Sequence, residues 1–284
     1  VADSNRLIAS GHSPVGIKHG IELAVSDVVT ALRDSARELA SPAEIAQVGT
    51  VSANGDERIG ALIADAMARV GRDGIITVED AKGTATSLDV VEGMQFDRGY
   101  LSPYFVNNND RMQAVHDDAY VLLTDRKLTS LQELVGVLEL VLREQRPILI
   151  VADEVEGAAL QTLIVNKVRS GLNAVAIKAP GYGSARDAFL QDIAVLTGAK
   201  IASPTTGLSI EKVAKGDLGR CKRFVVDARS TTIVGTGATA DAVKAHADSL
   251  REQLRDPTLS AADVTRLRER VARLASGVAV VRVG

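Results

Sequence analysis

The stretch GYGSAR, residues 181–186, follows an apolar run and precedes a helical pattern. A glycine-rich turn in that position can cradle a phosphate at the helix N-terminus. A dinucleotide site would also need a third glycine, and an acidic residue about twenty positions on to hold a ribose. Both are missing, so a tight turn is the better reading, with an α/β enzyme or nucleotide-binding domain kept as the alternative. No glycine loop ends in Lys-Ser or Lys-Thr, which removes the other common phosphate cradle. His12, His19, His116 and His246 are scattered without metal-ligand spacing, and each reads as a lone surface histidine. Cys221 lies between Arg220 and Lys222, whose charges would favour a thiolate. No histidine accompanies it in sequence, so a passive, half-buried thiol is expected. Asp153, Glu154 and Glu156 sit where a helix should begin, and the helix dipole accounts for them without catalysis. Nothing in these patterns makes an enzyme of the chain.

The composition sets the frame in which those residues act. A length of 284 residues allows one or two domains with ample core. The shares of hydrophobic residues, 46%, and charged residues, 24%, are ordinary for a soluble globular protein. A net charge of −3 gives no electrostatic reason to expect nucleic acid or an anionic membrane as partner. One cysteine cannot form an internal disulfide, so a reducing cytoplasm is the expected home. No apolar run is long enough to span a bilayer, and no signal peptide is seen. The chain starts with Val1 and ends in the strand-like GVAVVRVG, and so reads as a piece cut from something longer.

Residues 13–91 are mostly helical in pattern. Ser13-Pro14 starts one helix, with Ile17, Ile21, Ala24, Val28 and Leu32 at helical spacing. Ser41-Pro42-Ala43-Glu44 has the capping-box form, and Asp56 precedes a third helix that ends at Gly71. Two short strand-like runs follow, Ile75 to Val78 and Leu88 to Val91, around the turn-rich DAKGTA. From 118 to 202 strands alternate with helices, which predicts an α/β unit with a largely parallel sheet. KRFVVDA and TTIVG add strands, and residues 238–276 give two charged amphipathic helices. The terminal GVAVVRVG needs strand partners, and the runs at 75–78 and 88–91 are candidates. If they pair, the α/β unit is an insertion leaving near Gly93 and returning near Gly277. Those two glycines then form a hinge or are ordinary turn residues; both readings stay open.

Two helices carry more apolar surface than a sheet can cover. On a wheel of residues 131–142, Leu134, Val137 and Val141 fill the stripe that a sheet needs. Leu131, Val135, Leu138 and Leu142 are left to its side. The next helix repeats this with Leu160, Leu163, Ile164, Val165 and Val168. Either another layer of the chain covers the groove between the two helices, or it is an exposed surface for apolar segments of other proteins. The stretch EGMQFDRGYLSPYF, residues 92–105, holds Phe96, Tyr100, Tyr104 and Phe105 in a chain of four Tyr, four Phe and no Trp. Such aromatics on a flexible, glycine-flanked segment would extend that surface.

EGMQFDRGYLSPYF, AEIAQVGTVSAN, DGIITVED, ADEVEGAAL, QDIAVLTGAKI and RLASGVAVVRVG together resemble the group I chaperonins, the GroEL family. The resemblance covers essentially the whole chain. It implies an equatorial-domain remnant helix at 1–34 and an intermediate domain at 35–91 and 278–284. It also implies an inserted apical α/β domain at 92–277. In that family the apical domain captures non-native polypeptides and the GroES co-chaperonin on one hydrophobic groove. By position the groove would comprise Tyr100, Tyr104, Phe105, Val135, Leu138, Leu160, Ile164 and Val165, with a hinge at Gly93 and Gly277. Arg98 resembles a position of switchable inter-subunit salt bridges, or is an ordinary surface arginine. The family's ATP and magnesium site and most of its homo-oligomeric ring contacts belong to the equatorial domain, whose phosphate-binding motif is not in this sequence. A catalytic role for this portion alone is not implied. Ser184-Ala185-Arg186 in place of a basic run, and the loop VNNND at 106–110, depart from the family pattern.

Overall fold

The computed structural model describes residues 2–37, 39, 41–71, 75–80, 85–236 and 238–283. The stretch DAKGTA, read from sequence as turn-rich, lies mostly outside them, at residues 81–84. The chain divides into two units, Val1–Ala61 and Leu62–Gly284. The first holds α1 (Ala2–Ala9), α2 (Pro14–Ser35), α3 (Pro42–Ser52) and the start of α4 (Glu57–Val70). Local capping sets these boundaries. Ser13 Oγ accepts from the Gly16 N–H at 3.3 Å. Ser41 Oγ accepts from the Glu44 N–H at 3.3 Å while the Glu44 carboxylate accepts from the Ser41 N–H at 3.2 Å, the full capping box. Asp56 Oδ1 accepts from the N–H groups of Arg58 and Ile59. Where α3 meets α4 the backbones touch: a Cβ on Gly60 would stand 2.4 Å from the Ala46 carbonyl oxygen. Helix α2 buries none of its side chains, and Ile21, Val28 and Leu32 are exposed.

In chain order the second unit continues with β1 (Ile75–Asp80), β2 (Ser87–Val91), β3 (Gly93–Phe96), β4 (Ala114–Thr124) and β5 (Lys127–Leu128). Next come α5 (Val135–Glu144), β6 (Ile148–Ala152), β7 (Glu154–Val155), α6 (Gly157–Ser170) and β8 (Ala174–Lys178). It closes with α7 (Ser184–Thr197), β9 (Ile201–Ala202), β10 (Gly219–Val226), β11 (Thr231–Val234), α8 (Ala240–Gln253), α9 (Ala261–Ser276) and β12 (Val278–Val283).

The last strand is the middle of a small sheet, ordered β1-β12-β2. It runs parallel to β1 (Ile75 opposite Val278) and antiparallel to β2 (Val278 opposite Val91). The pairing anticipated for GVAVVRVG is therefore present, and residues 93–277 leave this sheet and return to it. The larger sheet is ordered β3-β11-β10-β4-β6-β8, with β9 also on β4. It is mixed rather than largely parallel. Strands β4, β6 and β8 are parallel, whereas β3, β11, β10 and β4 alternate in direction. The cause is local: Asp227 Oδ1 accepts from the N–H groups of Arg229 and Ser230, each at 2.7 Å, closing a tight turn that can only join antiparallel strands. Right-handed crossovers put α5 and α6 on one face of the sheet. Helices α7, α8 and α9 pack together on the other, with α7 on β4 and β10. Covered on both faces, β6 is buried at all five positions.

Four expectations need correction. The helix placed on a wheel from residue 131 begins at Val135, because residues 132–134 form a turn closed by the Leu134 N–H on the Leu131 carbonyl. Two histidines are not surface residues. His116 is buried beside the Phe224 ring, and burial pushes its pKa down to about 4. His246 Nε2 lies 2.9 Å from the fully buried Asp192 carboxylate, which also accepts two hydrogen bonds from Arg270, so one network joins α7, α8 and α9. The acids near α6 also serve ion pairs: Asp153 pairs with Arg186, and Glu154 and Glu156 pair with Lys127, while Glu156 stands at the N-cap where it meets the helix dipole. Cys221 is fully buried rather than half-buried. Desolvation pushes its thiol up to about 12, against the lowering that Arg220 and Lys222 would give.

Candidate functional site

The face of the large sheet covered by α5 and α6 also carries the aromatic stretch. That stretch is not a flexible arm. The Tyr100 N–H donates to the Asp227 carbonyl in the turn after β10 and the Leu101 N–H to the Ala176 carbonyl of β8, each at 3.0 Å. Tyr100 also bridges to Ile177, so the stretch is tied both to that turn and to the edge strand β8. Gly99 permits the approach, since a Cβ there would lie 2.2 Å from the Ala228 backbone. Ser102 then caps a single 3-10 turn, Pro103–Phe105, with its Oγ accepting from the Tyr104 N–H. This turn packs against α6.

Capping and packing sort the eight groove candidates into three groups. Tyr104 is 68% exposed, Val165 45% and Val135 38%. Tyr100, Leu160 and Ile164 are half-buried and rest on the main core. Phe105, at 0%, and Leu138, at 6%, are core residues. They cannot present surface to a partner, because the 3-10 turn drives the Phe105 ring inward and Leu138 shares the buried side of α5 with Leu134, Val137 and Val141. The structure adds Leu142 and Val168 as exposed apolar side chains on α5 and α6. Both were visible as surplus on the helical wheels. It also exposes Tyr182, with the Lys178 ammonium 5.9 Å from its ring centre.

The two glycines at the crossings meet different demands. Gly93 lies in extended backbone, where a Cβ would come within 2.3 Å of a Val278 methyl and 2.8 Å of the Ile233 carbonyl oxygen. Gly277 ends α9 at φ 63 and ψ −175, a conformation open essentially to glycine alone. The outgoing and returning chains thus touch, Gly93 against the residue that follows Gly277. Arg98, near the first crossing, is half-buried; it donates from Nη1 to the Asp97 carbonyl, and its Nε is buried without a partner.

The turn at residues 181–183 does not build a phosphate site. Gly181 (φ 80) and Gly183 (φ 54) supply left-handed backbone for a tight entry into α7, and two nearby cations, Arg186 and Lys178, lie against carboxylates. Arg186 pairs with Asp153 at 2.9 Å and with Asp187 at 3.2 Å, and Lys178 lies 3.9 Å from Glu154. No group of His, Cys, Asp or Glu among the described residues is arranged to hold a metal ion.

Residues 1–138 match the TCP-1/cpn60 chaperonin family. The matched span carries Tyr100, Tyr104, Phe105, Val135 and Leu138, while Leu160, Ile164 and Val165 lie beyond it. The matched span also holds β1, β2 and the aromatic segment, and the match supports a chaperonin of the TCP-1/cpn60 family and, with it, a chaperone role.

Proposed function

We propose that this chain is the polypeptide-binding portion of a group I chaperonin. Residues 92–277 act as the apical domain and hold non-native polypeptides and a GroES-type co-chaperonin against α5, α6 and the 3-10 turn. Residues 35–91 with 278–284 form the intermediate domain, and residues 1–34 a helix of the equatorial domain. On this reading the intact parent is a cytoplasmic homo-oligomeric ring. Its ATP and magnesium bind in the equatorial domain, outside the residues described above, and drive the apical unit about Gly93 and Gly277. The observation that carries the reading is the exposure of Tyr104 on the 3-10 turn, of Val135 on α5 and of Val165 on α6. Each such site binds weakly, because a flexible client loses entropy on docking, and a ring of sites restores affinity through multivalency.

The test compares wild type with Val135→Glu for binding of an apolar-surface dye and of a peptide with the sequence of a GroES mobile loop. Mutual competition in the wild type, with both signals lost in the variant and its melting temperature kept, is the expected result. A well-folded wild type that binds neither overturns the reading.

A further inference from the structure

One cation interrupts the apolar face of α6. At about 100° per residue, Leu160, Ile164 and Lys167 fall within about 60° of one another, so Lys167 continues the line of half-buried apolar residues by one turn. Lys167 is itself half-buried, and burial lowers its pKa without any compensating carboxylate. Its ammonium has no hydrogen bond or ion pair. The elements that pack most on α6 supply none: α6 itself contains no Asp or Glu, and neither does the Pro103–Phe105 turn or β8. On the core side stands His116, close enough to Lys167 for the two charges to oppose each other, with its Nε2 buried and unpartnered. Asp117, whose carboxylate acts on that histidine, is held by Arg223 at 2.5 and 3.0 Å. A partly desolvated ammonium without a counter-charge is a deficit that a ligand carboxylate would relieve.

We propose that Lys167 receives the carboxylate of an Asp or Glu flanking an apolar segment of the bound polypeptide, so that the surface selects apolar stretches with an acidic edge. This rests on the polypeptide-binding reading above and adds a charge rule to it. The experiment titrates the full chain with four fluorescent peptides, each acetylated and amidated, sharing one Leu/Val-rich core. They carry a single Glu or Gln before or after that core. In one of the two placements the Glu peptide should bind about tenfold tighter than its Gln twin, and about 0.5 M salt should erase most of the difference. Lys167→Gln should abolish the preference, and Lys167→Arg should keep it. Equal binding of Glu and Gln peptides to wild type in both placements overturns the proposal and leaves the apolar site standing. A preference that survives Lys167→Gln overturns it too. If none of the four peptides binds, the underlying reading falls, and the charge rule with it.

Discussion

Tyr104 and Phe105 are neighbours in sequence and opposites in burial, and that contrast can be measured. Removing the enclosed Phe105 ring leaves a cavity, so Phe105→Ala should cost about 3–5 kcal/mol in denaturant unfolding. Tyr104→Ala should stay within about 0.5 kcal/mol and act on peptide binding instead. Comparable losses from both would place Tyr104 in a core. His116 makes a second prediction. Burial, aided by the Lys167 charge, holds its native pKa at about 4, below the unfolded value of 6.5. The native imidazole therefore stays neutral while the unfolded one takes up a proton. Its contribution to stability is complete above pH 6.5, is lost as pH falls towards 4, and changes no further below that. The full loss is about 3 kcal/mol. Urea titrations at pH 7 and pH 4.5 should show His116→Leu losing less stability than wild type over that interval; identical losses would mean that the histidine reaches water.

At the scale of elements, what was legible in the sequence was what is decided locally. Ser13, Ser41 and Asp56 cap the helices they were read to cap, because a cap needs only its own first turn. The runs in β6 and β8 were legible because a strand covered on both faces leaves an uninterrupted apolar stretch. The antiparallel half of the sheet was not, since the partner of β10 depends on the Asp227 turn and on β3 joining from far away in sequence. Nor was the burial of Leu138: three residues apart, it stands only about 60° from Val135 on the wheel, and tertiary packing alone separates an exposed Val135 from a buried Leu138. Phe105 could not be told from Tyr104 by pattern at all. The crossings were placed correctly, though their motion is a proposal, and the packing there gives a prediction. A Cβ at Gly93 meets backbone that cannot yield, and one at Gly277 demands a forbidden conformation, so Gly93→Ala and Gly277→Ala should each lower stability by about 1–3 kcal/mol. A loss within error at Gly277 would show that α9 can end in another conformation.

At the scale of the whole molecule, the chain's last strand holds the small sheet together from its centre. Strands β1 and β2 each pair with β12 and not with one another. Alternate residues of β12 face opposite ways: Val278 and Val280 are buried with Val234, while Ala279 is buried with Ala66 and Val70 of α4. The main core, from Leu122 through Ile150 and Ile177 to Phe224, draws on none of these β12 residues. Ending the chain after Gly277 should therefore dissolve one sheet and spare the other. In hydrogen exchange, amides of Ile76 to Val78 and Leu88 to Val91 should lose protection, while Val121 to Leu123, Leu149 to Val151 and Val175 to Ile177 keep theirs. Strand β11 should weaken at Val234, which loses its cover. Protection lost everywhere at once would mean that both sheets fold as one cooperative body, and an apical unit able to swing as a piece would then lack a physical basis. Protection retained in β1 and β2 would mean that they find each other without β12, and the insertion at Gly93 and Gly277 would not depend on the returning strand.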